Sequence, residues 1–391
     1  MATVLSSVRL ILPERLLENA WIRFDETGIL DFGEDAAPGE AEQVDGRGLF
    51  LGPGLIDTHV HGGAGYDFLD GTAEAFQAIA RYHLSHGTTA LCPTFATTTY
   101  RRVGEVLEVW SKVRDDCVAH IFGVHLEGPH LAISKAGAHD PKLLSAPSDR
   151  DIDWLAENTK RIAQMTIAPE LPNALELIER CSSSGMILSA GHTEAREKIV
   201  RAAIGRGASK VTHLFNAMTY AGKAGLFREP GLAEYALIED RLICELIADG
   251  FHARPSFMRL AIRCKGPDKL ALVSDALAGA GLPVGTEFML GSLRCKVGEG
   301  YCMLADGSAL SGSATNLMDH VRILHETVRV PIPDAVRMAS ATPARILGID
   351  DRYGSIARGH AADLVQFDSK FKVQTVWISG KRVSNADALA R

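Results

Sequence analysis

From residue 54 onward, short apolar runs alternate with amphipathic stretches. Eight runs are candidate strands: 54–58 (GLIDT), 89–94 (TALCPT), 119–126 (AHIFGVHL), 161–167 (RIAQMTI), 186–190 (MILSA), 209–212 (SKVT), 242–248 (LICELIA) and 270–274 (LALVS). Such runs, separated by segments of helical period, are the signature of parallel strands joined by crossover helices. Between the first two, Thr72 can cap a helix that places Phe76, Ile79, Ala80 and His83 on one face, and Gly87 stops it. Leu175 to Cys181 and Ala195 to Ile204 follow the same pattern. Eight strands over roughly 220 residues predict a (β/α)8 barrel, assigned to residues 54–350. A doubly wound sheet is the competing architecture. Polar endings on strands one, three, five, six, seven and eight favour a closed barrel, because an open sheet gathers its site at one switch point.

The chain ends have a different texture. Trp21 to Phe24 and Gly28 to Phe32 are short strand candidates, and Gly33 to Gly48 has loop composition. Beyond the barrel strands, Asp334 to Leu347 predicts a helix. Ala362 to Phe367, Thr375 to Ile378 and Lys381 to Val383 predict strands, the last two joined by a Ser379-Gly380 turn. A two-stranded hairpin is marginal by itself. Residues 1–53 and 351–391 are therefore expected to combine into one small β-sandwich domain.

Composition excludes several classes. The 391 residues carry a net charge of −7 and no Lys/Arg run, so no nucleic-acid partner is expected. One or two local cations could still hold a small anion. The seven cysteines form no CxxC pair and several lie in apolar runs, which suits reduced thiols in the cytoplasm. Arg9, Pro13, Glu14 and Arg15 interrupt the N-terminal segment, unlike a signal peptide. No run approaches the ~20 apolar residues that span a bilayer, so no membrane association is expected.

His59, His61, Glu127, His192, His213 and Asp275 each fall just past an apolar run. In a barrel all strand C-termini converge on one face, which carries the active site. His59 and His61 are i and i+2 in an extended segment and point the same way, with Gly62, Gly63 and Gly65 allowing a tight turn behind them. Glu127, His192 and His213 form a two-His, one-carboxylate set that leaves positions open, as catalytic metal sites do. Zn²⁺ is the first expectation, and Fe²⁺ or Mn²⁺ suits the same donors. Such an ion lowers the pKa of a water from ~15.7 towards ~7. A carboxylate beside it, Asp275, can take the water's proton and hand it to a leaving group; the alternative is a helix cap. His125 is expected to support the ligands or to be a satisfied core histidine.

These motifs resemble the amidohydrolase superfamily and, within it, the N-acetylglucosamine-6-phosphate deacetylases. PGLIDTHVHG, HLEGPH, KAGAHDP, SAGHTEA, THLFNAM, REPG, IADGFH, VSDA and LSGSATNLM occur in family order over nearly the whole chain. The resemblance implies hydrolysis of the N-acetyl group of a sugar 6-phosphate, with the galactosamine epimer, another amidohydrolase or a silent sugar-phosphate sensor as alternatives. It implies Glu127, His192 and His213 as metal ligands and Asp275 as acid/base. Ala138 and His139 would contact substrate, with His139 near the amide carbonyl. Asn216, Ala217 and Arg228 would bind phosphate, and His252, Leu310, Ser311 and Gly312 the sugar. A guanidinium offers phosphate two parallel charge-assisted donors. Some members lack HxH and hold one metal; here His59 and His61 allow one or two ions. The segment MTYAGKAGLF before Arg228 is longer than usual. The family further implies a homodimer in which Arg228 can reach the neighbouring subunit's site.

Overall fold

The computed structural model describes residues 2–39 and 42–383; the part of the C-terminal segment beyond 383 lies outside the described residues. Eight parallel strands form the central sheet: β1 (Leu55–Val60), β2 (Thr88–Phe95), β3 (Val124–Glu127), β4 (Ile162–Ile167), β5 (Ile187–Ala190), β6 (Ala208–Val211), β7 (Ile243–Leu246) and β8 (Leu270–Leu272). Each pairs with the next in sequence order. The sheet closes just past β8, where Asp275 N–H donates to the His59 carbonyl at 2.9 Å and Ser274 N–H to Asp57 Oδ1 at 3.2 Å. The architecture is a (β/α)8 barrel.

The alternation of side chains along each strand explains both layers. Val124 and Leu126 face the helices, in a core with Ile152, Leu155 and Trp110. Cys244 and Leu246 do the same in a second core with Met258 and Leu317. Their neighbours His125, Glu127 and Glu245 are buried without joining either apolar core. The barrel centre also holds Gln164, Thr166, Ser189, Lys210 and Thr212, all buried. This interior is polar where most such barrels fill it with Val, Ile and Leu. His125 is a satisfied core histidine, bonded to Thr94 Oγ1 at 3.2 Å and Thr166 Oγ1 at 2.8 Å.

The first helix covers Ala73–Ser85, with Thr72 Oγ1 accepting from Ala75 N–H at 3.1 Å and Phe76, Ile79, Ala80 and His83 buried. Thr72→Ala is expected to lower stability by about 1 kcal/mol, read as a drop in the thermal midpoint with unchanged activity at 25 °C. The helix expected over 334–347 is two, Ile332–Met338 and Ala341–Leu347. Pro343 cannot donate to the carbonyl of Ala339 and would clash with it; that carbonyl accepts from Ile56 N–H of β1 at 2.8 Å instead. The expected strand over 119–126 is also broken, into His120–Ile121 and β3.

The chain ends share one eight-stranded sheet. Its order is 381–383, 373–378, 364–367, 50–53, 3–11, 16–25 and 28–33, with 42–45 pairing alongside 3–11. Phe50–Pro53 and Leu364–Phe367 join the two ends. An element unforeseen from the sequence follows β8: a four-stranded antiparallel meander, 287–290, 293–297, 301–304 and 310–313. It packs over the C-terminal face through Leu277, Leu290, Cys295 and Cys302. No helix of the described residues is long and apolar enough to cross a membrane.

Candidate active site

A cavity of about 350 Å³ opens at the C-terminal end of the barrel. His61, Glu127, Ala138, His139, His192, His213, Asn216, Ala217, His252, Asp275, Leu310, Ser311 and Gly312 all line it. His59 lies beneath, fully buried. Ser134, Lys135 and Leu290 also line the cavity and were not singled out from sequence. Arg228 does not line it. It sits on an exposed hairpin, Gly222–Ala224 with Phe227–Glu229.

Glu127 is the centre of the arrangement. Its Oε1 lies 3.1 Å from His213 Nε2 and 3.2 Å from His192 Nε2. Its Oε2 lies 3.2 Å from His61 Nε2 and 3.3 Å from His139 Nε2. Asp275 Oδ1 is 3.2 Å from His61 Nε2 and 3.5 Å from His59 Nε2. Burial alone would raise the Glu127 carboxyl, but the surrounding imidazoles, His59 foremost, hold it well below the usual carboxylate range. The same balance lowers Asp275 through its contact with His61, whose own imidazole is pushed up to about 9, Asp275 and Glu127 outweighing burial.

Backbone conformation aims these groups. His192, His213 and Asp275 all have positive φ, at 46°, 28° and 49°. Non-glycine residues rarely adopt this region, and where they do at strand ends the cost marks a functional constraint. Asp275 N–H and C=O are both engaged, to His59 O and from Ser313 N–H at 2.8 Å, so its carboxylate is fixed over the cavity. Gly312 permits that approach: a Cβ there would lie 2.8 Å from the Asp275 carbonyl oxygen. No helix starts at Asp275, which removes the capping alternative.

Hydrogen bonds assign the imidazole tautomers. His192 Nδ1 is 2.7 Å from the Lys135 carbonyl, so Nδ1 carries the proton and Nε2 turns a lone pair inward. His59 Nδ1 donates to Glu245 Oε2 at 3.0 Å, which turns Nε2 towards Asp275 and Glu127. The Nε2 atoms of His59, His61, His192 and His213 each lie within 3.5 Å of the carboxylate of Glu127 or Asp275. His192 Nε2 and His213 Nε2 are 3.0 Å apart. The donor set of imidazoles and carboxylates therefore fits a divalent metal.

His139 differs. Thr97 N–H donates to its Nδ1 at 3.2 Å, so Nε2 bears the hydrogen and is a donor into the cavity rather than a ligand. Burial lowers this imidazole to about 4, leaving it neutral at pH 7. His252 is held 2.6 Å from Asp249 Oδ2 through Nδ1. Asn216 donates its side-chain amide to the His213 and Leu214 carbonyls at 3.2 and 3.3 Å, which rigidifies the turn after β6.

The Amidohydrolase family model matches residues 50–383. The N-acetylglucosamine-6-phosphate deacetylase of Vibrio furnissii is 32% identical over 374 residues, covering 94% of this chain and 92% of that protein. The N-acetylgalactosamine-6-phosphate deacetylase of Escherichia coli O157:H7 is also 32% identical, over 98% and 100%. Among solved structures, N-acetylglucosamine-6-phosphate deacetylase from Pasteurella multocida superposes with a TM-score of 0.92 at 27% identity, covering 98% of this chain and all of that one. The enzyme of the same name from Mycobacterium smegmatis gives 0.89 at 30% identity, covering 98% and 100%. A polar barrel interior, imidazoles and carboxylates at the strand ends and these likenesses agree: the chain belongs to the amidohydrolase family.

Proposed function

We propose that this protein hydrolyses the N-acetyl group of N-acetyl-D-glucosamine 6-phosphate to glucosamine 6-phosphate and acetate. The carrying observation is the pairing of Asp275 with Glu127 across inward-facing imidazoles, beside a neutral His139 donor. Glu127, His192 and His213 would hold a divalent metal, Zn²⁺ first, with His59 and His61 available for a second ion. When bound, such an ion polarises the amide carbonyl and acidifies water. His139 donates its Nε2 hydrogen to the carbonyl oxygen as negative charge develops there. Asp275 takes the proton of the attacking water and returns it to the departing nitrogen. His252 and the Leu310–Gly312 strand face the sugar. A phosphorylated substrate, which does not diffuse across membranes, suits a cytoplasmic enzyme.

Acetate release from both epimeric N-acetyl sugar 6-phosphates, with elemental analysis of the same sample, tests this. Preference for the galacto epimer would shift the reading towards that named for the Escherichia coli relative. Tight sugar-phosphate binding without acetate release, in metal-replete protein, would make the chain a sensor instead.

Arg228 does not line its own chain's cavity, and its hairpin exposes Leu226 and Phe227 at 94% and 76%; on this reading Arg228 binds phosphate in another copy of the chain. A homodimer that covers this hairpin is part of the proposal. Arg228→Ala is then expected to raise KM for the phosphorylated sugar roughly tenfold or more, the worth of a lost charged hydrogen bond, with a smaller change in kcat. An unchanged KM would move the phosphate towards Lys135, a cation that lines the cavity within the same chain.

A further inference from the structure

A buried hydrogen-bonded relay lies directly beneath the ligand cluster. Lys210 on β6 is 1% exposed and Glu245 on β7 is 0% exposed. Lys210 Nζ is 2.6 Å from Glu245 Oε1 and also donates to Gln164 Oε1 of β4. Gln164 Nε2 in turn donates to the Thr58 carbonyl of β1. The other oxygen of Glu245 accepts twice: from His59 Nδ1 at 3.0 Å and from the backbone N–H of His213 at 3.1 Å. The relay thus starts at the carbonyl of Thr58 and returns to the imidazole of His59, the next residue. One carboxylate grips a member of each candidate ligand set, His59 by its ring and His213 by its backbone.

An ion pair this deep is an unpromising source of stability. Desolvating both charges offsets most of their attraction, and apolar replacements are often as stable. Its geometry has a different consequence. Without an acceptor at Nδ1, the His59 ring can carry its proton on Nε2, which would point a hydrogen at Asp275 and Glu127 and remove a ligand. Glu245 favours a hydrogen on Nδ1 and holds the ring with Nε2 towards the site. It also fixes His213 at its positive φ by tying down the amide.

We infer that Glu245, held in place by Lys210 and Gln164, is a positioning residue for metal capture: it orients the His59 ring through Nδ1, so that Nε2 faces the site, and couples the HxH pair to the His192/His213 set. This rests on the metal-dependent reading above. Partners of this kind, behind metal-binding histidines, are typically worth 10–100-fold in metal affinity.

The test uses the full-length protein, its Glu245→Leu variant, and Lys210→Met/Glu245→Leu, which removes the acceptor and both charges and leaves none buried alone. Zn²⁺ dissociation constants come from competition with a chromophoric chelator, and the His59 tautomer from ¹⁵N NMR of the metal-free protein. The expected result is Zn²⁺ binding weakened roughly 10–100-fold in both variants, with His59 no longer held as the Nδ1–H form. A merely structural pair would lower the thermal midpoint of the single variant, recover it in the double, and leave Zn²⁺ affinity untouched. Affinity within threefold of the parent in either folded variant overturns the inference. Failure of the parent itself to bind Zn²⁺ or another divalent ion would instead overturn the metal-dependent reading on which it rests.

Discussion

Asp275→Asn is expected to reduce turnover by roughly 10²–10⁴-fold, the usual worth of a positioned general acid/base, while metal content stays at the parent value. The substitution is nearly isosteric, and the backbone bonds that hold residue 275 in its strained conformation do not involve the side chain. What disappears is the capacity to accept a proton from water and return it to nitrogen. Asn can still contact His61 and His59 through its carbonyl oxygen, so substrate KM should move little. Turnover and zinc content measured on one preparation decide the matter. Turnover within tenfold of the parent would remove Asp275 from the proton-transfer role. A parallel loss of metal would make it a ligand.

This site was legible in the sequence for a particular reason. Each key residue sits at the end of a short apolar run, and side chains alternate along a strand, so a single count places Glu127 inward once Val124 and Leu126 are recognised as outward. The glycines after His61 and the family-ordered motifs added specificity. Other features had weaker signals. Lys210 and Glu245 were visible as charges inside apolar strands, SKVT and LICELIA, but a lone charge in a run does not reveal its partner on another strand. Their pairing depends on β6 and β7 being adjacent, which only the folded barrel supplies. The meander over 287–313 was hidden because its strands are half-exposed and follow a barrel that had already used its eight runs. Arg228 illustrates the limit of motif matching: the motif names the residue, and the fold leaves it off the lining of its own chain's cavity. The split of the 334–347 helix was readable from Pro343, had the carbonyl it blocks been counted.

Glu127→Gln is expected to have the opposite signature to Asp275→Asn: metal content well below one ion per chain, and turnover lower by at least roughly a thousandfold. Loss of a metal forfeits several kcal/mol of transition-state stabilisation, and each 1.36 kcal/mol is tenfold in rate. The physical reason lies in the environment of this one side chain. Its two oxygens meet His192, His213, His61 and His139 within 3.3 Å. In the metal-bound protein the carboxylate supplies negative charge between imidazole lone pairs. A glutamine amide of the same shape supplies none. The variant offers the ion a neutral amide in place of a carboxylate, and excess Zn²⁺ should not reverse the defect. Thermal unfolding separates the two proteins. The parent gains stability as Zn²⁺ is added, by RT ln(1 + [Zn²⁺]/Kd), and the variant should show almost no shift over the same range. A full complement of metal in Glu127→Gln, with turnover within tenfold of the parent, would show that the imidazoles alone hold the ion and that Glu127 is not its ligand.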